Sequence, residues 1–179
     1  MRRFGDSDRG AALVEMAAVF GLLMLIAIGG FEWGMAFRDS ISVSTSAREA
    51  ARVASSAGRD TNADCFIIEA AAGALQAISG NKVVELWIYE SDTSGTVGRS
   101  SRYRPGQPSD VSLVCNGAWF RISNNYPPSS RDNDGSTRAW IGVQITYDHA
   151  WKTGFAFWRG TSRWSERAVM HLEPAVPNF

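Results

Sequence analysis

The sequence predicts an α+β protein in which a long N-terminal helix spans a membrane and continues into a module with a second helix and a small antiparallel sheet. Three observations lead to this prediction. Residues 11–31 contain a single charged residue, Glu15. Helix-compatible sequence then continues to Gly58. The second half contains four short segments of strand-like composition, separated by polar loops, as in an α+β arrangement.

The apolar run has the length of a membrane span. As an α-helix, its 21 residues extend about 31 Å, close to the thickness of a hydrocarbon core. Phe31, Trp33 and Phe37 follow, and aromatic side chains of this kind are typical of the membrane–water interface. We therefore expect the chain to cross the membrane once.

Arginines ahead of the run predict its orientation. Arg2, Arg3 and Arg9 precede the apolar residues, and a basic flank of this kind tends to stay in the cytoplasm. The remainder of the chain is then expected on the periplasmic side of an inner membrane. The expected parts are a cytoplasmic leader, a transmembrane segment and a periplasmic α+β domain: residues 1–10, 11–34 and 35–179.

Two helices are predicted before the sheet. Val43, Ala47, Ala51 and Ala54 recur at helical spacing, which favours continuation of the first helix to a glycine stop at Gly58. For the second helix, Asp64 is the predicted N-cap and Gly80 the predicted stop. The predicted strands are residues 82–90, 118–122, 139–148 and 164–174. The predicted loops are residues 92–110 and 124–137.

Composition excludes several classes of function. Eighteen basic and eighteen acidic residues give a formal net charge of zero, and no long basic block suggests a nucleic-acid partner. His149 and His171 are too far apart in sequence to indicate a metal-ligand cluster, so neither a metal nor another cofactor is expected. In an oxidising periplasm, Cys65 and Cys115 are expected to form a disulfide. The alternative is a pair of buried free thiols.

The N-terminus resembles the class III signal of the type IV pilin superfamily. Gly10 is followed by Ala11, and Glu15 is the fifth residue counted from Ala11. More narrowly, RGAALVEMAAVFGLLMLIAIGGFEWG and the later SAREAARVAS resemble the TadE-like minor pseudopilins of tight-adherence (Tad/Flp) pilus systems. The resemblance covers about the first fifty-five residues, and it implies a pilin-like fold.

The resemblance also implies a function and partners. A prepilin peptidase would cut between Gly10 and Ala11, and Glu15 would pair with the new ammonium group of a neighbouring subunit during assembly. The implied role is non-catalytic support of pilus biogenesis and surface adhesion, with other pilin or pseudopilin subunits and the inner-membrane assembly machinery as partners. One departure is Ala11, because many type IV pilins have an aromatic residue at that position.

Glycines in the apolar run suggest a helix-packing face. Gly30 and Gly34 form a GxxxG spacing, which lets helix backbones approach closely in a membrane. The alternative is coincidence, because such spacings are common in helices rich in alanine and glycine.

Two other interpretations remain open from sequence. Ala27, Ile28 and Gly29 resemble a signal peptidase site, which would release a soluble secreted protein. An uncleaved membrane protein could instead use exposed aromatic residues of its outer domain to bind a sugar or a protein. The first residue of the mature chain distinguishes the three: Ala11 for the pilin-like protein, Gly30 for the secreted one and Met1 for the uncleaved one.

Overall fold

The computed structural model describes residues 6–75, 82–106, 113–115, 119–133, 139–155 and 158–174. Over these residues the α+β prediction is confirmed: a long apolar N-terminal helix and a second helix accompany an antiparallel sheet. The helices are α1 (Asp6–Ala57) and α2 (Ala63–Leu75). The strands are β1 (Lys82–Ser91), β2 (Ser100–Pro105), β3 (Leu113–Val114), β4 (Trp119–Asn124), β5 (Trp140–Ala150) and β6 (Thr161–His171).

The first helix has two parts that differ in their surroundings. It runs without interruption for 52 residues, about 78 Å at the usual helical rise. Side chains of residues 10–27 are all exposed, and the most apolar window has a mean hydropathy of 2.5, so the helix is long and apolar enough to cross a membrane. From Gly29 onward, every third or fourth residue is buried against the rest of the chain.

The first helix ends where its sequence predicts. Gly58 adopts a positive φ of 49°, and its amide donates to the carbonyl of Ala54 at 3.3 Å. A glycine in this conformation satisfies a terminal carbonyl without the penalty that a Cβ would bring.

The second helix differs from its prediction in its cap. It begins at Ala63, so Asp64 lies inside the first turn and is not the N-cap. The reason is tertiary, because the buried carboxylate of Asp64 accepts hydrogen bonds from Tyr103 and Arg131. Ile67, Ile68, Ala71 and Leu75 of this helix are buried in the main core. The predicted stop at Gly80 lies outside the described residues.

The sheet has the strand order β3-β4-β2-β1-β5-β6, and every neighbouring pair is antiparallel. The alternation predicted for β5 is confirmed: Ile141, Val143, Ile145 and Tyr147 are buried in the same core cluster as residues of α1 and α2. Strands β5 and β6 both contact α1. The core therefore lies between the sheet and the two helices.

The predicted loop at residues 92–110 is partly wrong, because it contains strand β2. Its residues are serine, arginine, tyrosine and proline, which give no apolar alternation. Ser101 and Tyr103 nevertheless alternate as fully buried positions, since β2 pairs with β1 on one side and β4 on the other. Strand β6 begins three residues earlier than predicted, because it pairs with β5 from Thr161 to His171.

Candidate functional site

The predicted processing segment is an exposed stretch of helix near the start of α1. Ala11 and Glu15 are exposed, and a Cβ built on Gly10 would meet nothing within 4 Å. Ala11 and Glu15 are four residues apart, about one helical turn, so both lie on the same side of α1. The carboxylate of Glu15 is thus presented outward from a single subunit.

The predicted helix-packing glycines also lie on an open surface. Gly30 and Gly34 are exposed, and a Cβ on either would meet nothing within 4 Å. Their neighbour Gly29 is different. A Cβ on Gly29 would lie 2.8 Å from the indole of Trp158, so this glycine is used for packing within the chain.

Glu32 is a buried carboxylate whose role was not predicted from the sequence. It is fully buried, and it accepts hydrogen bonds from the backbone amides of Lys152, at 3.1 Å, and Thr153. These residues belong to the connection between β5 and β6. The spacing of the sequence could have indicated this burial. Gly29, Glu32 and Asp39 stand at i, i+3 and i+10, so they lie on one face of a helix.

A second buried polar contact lies further along the same helix face. Asp39 Oδ2 is 2.8 Å from Nδ1 of His149, and both side chains are buried. The His149 ring stacks on Trp164 with centroids 5.3 Å apart and meets the edge of Trp151 at 4.8 Å. The end of β5 is thereby attached to α1 by a polar contact that lies beside two aromatic rings.

At the other end of the module, the two cysteines form a disulfide. Cys65 lies in the first turn of α2 and Cys115 directly after β3, with Cα atoms 5.1 Å apart. Beside the bond, Arg131 and Tyr103 both donate to Asp64. Burial and then the adjacent carboxylate raise the pKa of Tyr103 above its ordinary value, which keeps the phenol protonated as a donor.

These two groups of contacts define the arrangement of the molecule. The disulfide and the Asp64 cluster connect α2 to the strands. Asp39 connects α1 to the end of β5, and Glu32 connects α1 to the β5–β6 connection. Residues 10–52 match the family model of TadE-like proteins. The resemblance predicted from the sequence is therefore confirmed over those residues, and it supports a minor subunit associated with a Tad pilus. No curated protein and no solved structure matches the chain.

The TadE-like segment contains the predicted site residues of α1 and its contacts with the module. Gly10, Glu15, Gly30 and Gly34 all fall within it. So do Glu32 and Asp39, and so does Ser40, whose hydroxyl donates to Glu166 of β6 at 2.7 Å. The matched region ends at residue 52, five residues before α1 ends at Ala57. It thus includes both the exposed apolar part of the helix and the part that packs on the sheet.

Proposed function

We propose that this protein is a non-catalytic, membrane-anchored, pseudopilin-like minor subunit or assembly factor of a Tad-type pilus. The observation that carries the proposal is the position of the TadE-like match. It falls on one continuous helix, whose exposed apolar part is long enough to span a membrane and whose second part packs against the module. One rigid element thus joins a membrane anchor to a folded outer module.

The first step in this function is processing. Prepilin peptidase would cut between Gly10 and Ala11 on the cytoplasmic side, removing the basic leader. The exposure of this stretch and the open surface around Gly10 support access by a peptidase. Cleavage leaves an ammonium group on Ala11 and leaves the apolar helix embedded in the inner membrane.

The second step is association with other subunits. An exposed carboxylate in a lipid environment is costly, on the order of 3 kcal/mol, and so is an ammonium group. Pairing Glu15 of one subunit with the ammonium group of a neighbour reduces both costs. The open surface around Gly30 and Gly34 allows a partner helix to approach closely.

The secreted alternative would require cleavage after Gly29. Helix α1 continues across this position, and Gly29 packs against Trp158 of the module. Cleavage there would remove that contact and place a new ammonium group two residues from buried Glu32. A ligand platform of tryptophans has little support either, because Trp158 is buried and Trp151 and Trp164 pack around His149.

The proposal is tested by the mature N-terminus of the full chain expressed in its native host. Mass spectrometry of the membrane fraction should find a chain that begins at Ala11. Gly10→Arg should abolish this product, because a long charged side chain replaces the small residue at the cut. Ser7→Arg, which adds the same charge three residues upstream, is the matched control and should still be processed. A chain that begins at Gly30 would favour the secreted protein instead.

A further inference from the structure

The connection between β5 and β6 contacts α1 at the end of its apolar run. Trp158 packs against Gly29, and the amides of Lys152 and Thr153 donate to Glu32. We call the described residues of this connection, 151–155 and 158–160, the foot loop. Its first residue, Trp151, also meets Trp33 edge to face, with ring centroids 6.1 Å apart.

These contacts determine the height of the foot loop along the helix. Gly29 and Trp33 follow Ala11 by 18 and 22 residues. At 1.5 Å per residue, they lie about 27 and 33 Å along the axis from Ala11. A hydrocarbon core is about 30 Å thick. If residues 11–31 cross the membrane, the foot loop is therefore level with the headgroups of the outer leaflet.

The exposed side chains at this height have the chemistry of a membrane interface. Phe155 of the foot loop is 45% exposed, and on α1 Trp33 is 49% exposed and Phe37 63% exposed. Lys152 and Arg159 are also exposed in the foot loop. Aromatic rings concentrate at the headgroup level, and cationic side chains beside them favour anionic lipids.

We propose that the foot loop is a lipid-binding surface, which rests on the headgroups of the outer leaflet and binds anionic phospholipid through Phe155, Lys152 and Arg159. The inference rests on the membrane anchoring in the proposed function, and it adds a second point of contact with the bilayer. A helix alone leaves the module free to tilt and rotate about its exit point. A loop held against both the helix and the headgroups restricts that motion.

The buried carboxylate of Glu32 joins the foot loop to α1 at this depth. A carboxylate exposed at the edge of the hydrocarbon core is unfavourable. Here the foot loop covers Glu32 completely and supplies two backbone donors to it. The loop thus shields the charge from lipid, and the charge in turn holds the loop against the helix.

The test measures the depth of a tryptophan placed in the foot loop. The full chain is reconstituted in nanodiscs of phosphatidylcholine and phosphatidylglycerol, with or without bromine high on the acyl chains. Phe155→Trp adds a fluorophore to the foot loop. Phe66→Trp is the matched control, because Phe66 is 46% exposed, like Phe155. Phe66 lies in the first turn of α2, which follows the end of α1 that is far from the apolar run. The quenching of each added signal is compared with the wild type.

If the foot loop binds lipid, bromine on the acyl chains should quench the added emission of Phe155→Trp about twofold or more relative to that of Phe66→Trp. Replacing the anionic lipid with phosphatidylcholine should reduce this quenching, and so should Lys152→Gln combined with Arg159→Gln. Equal quenching of the two tryptophans would overturn the proposal. An unquenched but blue-shifted Phe155→Trp signal that depends on protein concentration would also overturn it, because another protein copy would then cover the foot loop.

Hydrogen exchange in the same nanodiscs separates this proposal from the proposed function. Protected amides over residues 16–27 together with an unquenched Phe155→Trp would overturn only the lipid-binding foot loop. Freely exchanging amides over residues 16–27 would show that α1 is not embedded, and both the membrane anchoring and the foot loop would be wrong.

Discussion

Gly29 of the apolar helix packs against the indole of Trp158 so closely that a Cβ on the glycine would lie 2.8 Å from the ring. Trp158 belongs to the module and is 7% exposed. The helix and the module are therefore already in contact within the apolar run, six residues before the predicted boundary of the outer domain at residue 35. The apolar helix and the module form a single packed unit at this junction.

Gly29→Ala should destabilise the module by about 1–3 kcal/mol, the usual effect of overpacking a filled site. Gly30→Ala is the matched control, because a Cβ there meets nothing within 4 Å. It should not destabilise the protein, and should raise stability by at most about 1 kcal/mol, since alanine is the better helix former. Denaturant unfolding of both variants in the same detergent measures the difference. Equal stability of the two variants would show that Trp158 does not pack against Gly29.

Glu32→Ala should loosen the β5–β6 connection. The amides of Lys152 and Thr153 lose their acceptor, and each unsatisfied donor costs about 1–3 kcal/mol unless water reaches it. Hydrogen exchange at these two amides should become faster. Glu49→Ala, at an exposed position of the same helix, should not change it. Unchanged protection in Glu32→Ala would contradict the arrangement at the junction.

Removal of the disulfide should lower the free energy of unfolding. Cys65 and Cys115 are separated by 50 residues, and closing a loop of that length stabilises a fold by about 4 kcal/mol in the chain-entropy model. Reductant should therefore shift the denaturant midpoint of the wild type downward. The Cys65→Ala, Cys115→Ala double variant should start from the lower midpoint and not respond to reductant. Recovery of both residues as free thiols from protein isolated without reductant from its native host would refute the bond.

Asp64→Asn should be strongly destabilising. Its carboxylate is the acceptor for Arg131, whose side chain is fully buried, and removal of one partner of a buried pair costs about 3–5 kcal/mol. Arg163→Gln breaks the ion pair with Asp148, in which Arg163 is 62% exposed, and should cost at most about 1 kcal/mol. Thermal or denaturant unfolding compares the two variants. A similar loss in both would mean that Arg131 finds another counter-charge.

Glu15→Gln should separate processing from assembly. Cleavage and membrane insertion should continue, since the substitution removes a charge that is costly in lipid. Assembly should fail, because the ammonium group of a neighbouring subunit loses its partner. Glu15→Asp should be intermediate. The measurement is cleavage, crosslinking between subunits and surface pili in a host that lacks the wild-type copy. Normal pili from a fully processed Glu15→Gln protein would exclude a role for this charge in assembly.

Elements with a local signal were predictable from the amino-acid sequence alone. The apolar run, the helical spacing from Val43 to Ala54 and the stop at Gly58 were sufficient for α1. The alternation of β5 was equally clear, because Ile141, Val143, Ile145 and Tyr147 all belong to the same core. The TadE-like resemblance also rested on contiguous residues. Such patterns can be recognised in one sequence because residues at a regular spacing lie on the same face of one helix or strand.

Which polar residues are buried, and which partners they have, depends on contacts between elements that are distant in sequence. Strand β2 has no apolar alternation, and it becomes a strand because β1 and β4 satisfy its backbone on both sides. Asp64 suggested a helix cap, but its carboxylate meets Tyr103 and Arg131, which lie 39 and 67 residues away in sequence. Glu32 was not predicted to have a role from the sequence, and it is buried against the amides of a loop 120 residues away. A buried polar group is stable only when its partners are present, and those partners are brought together by the fold and not by sequence proximity.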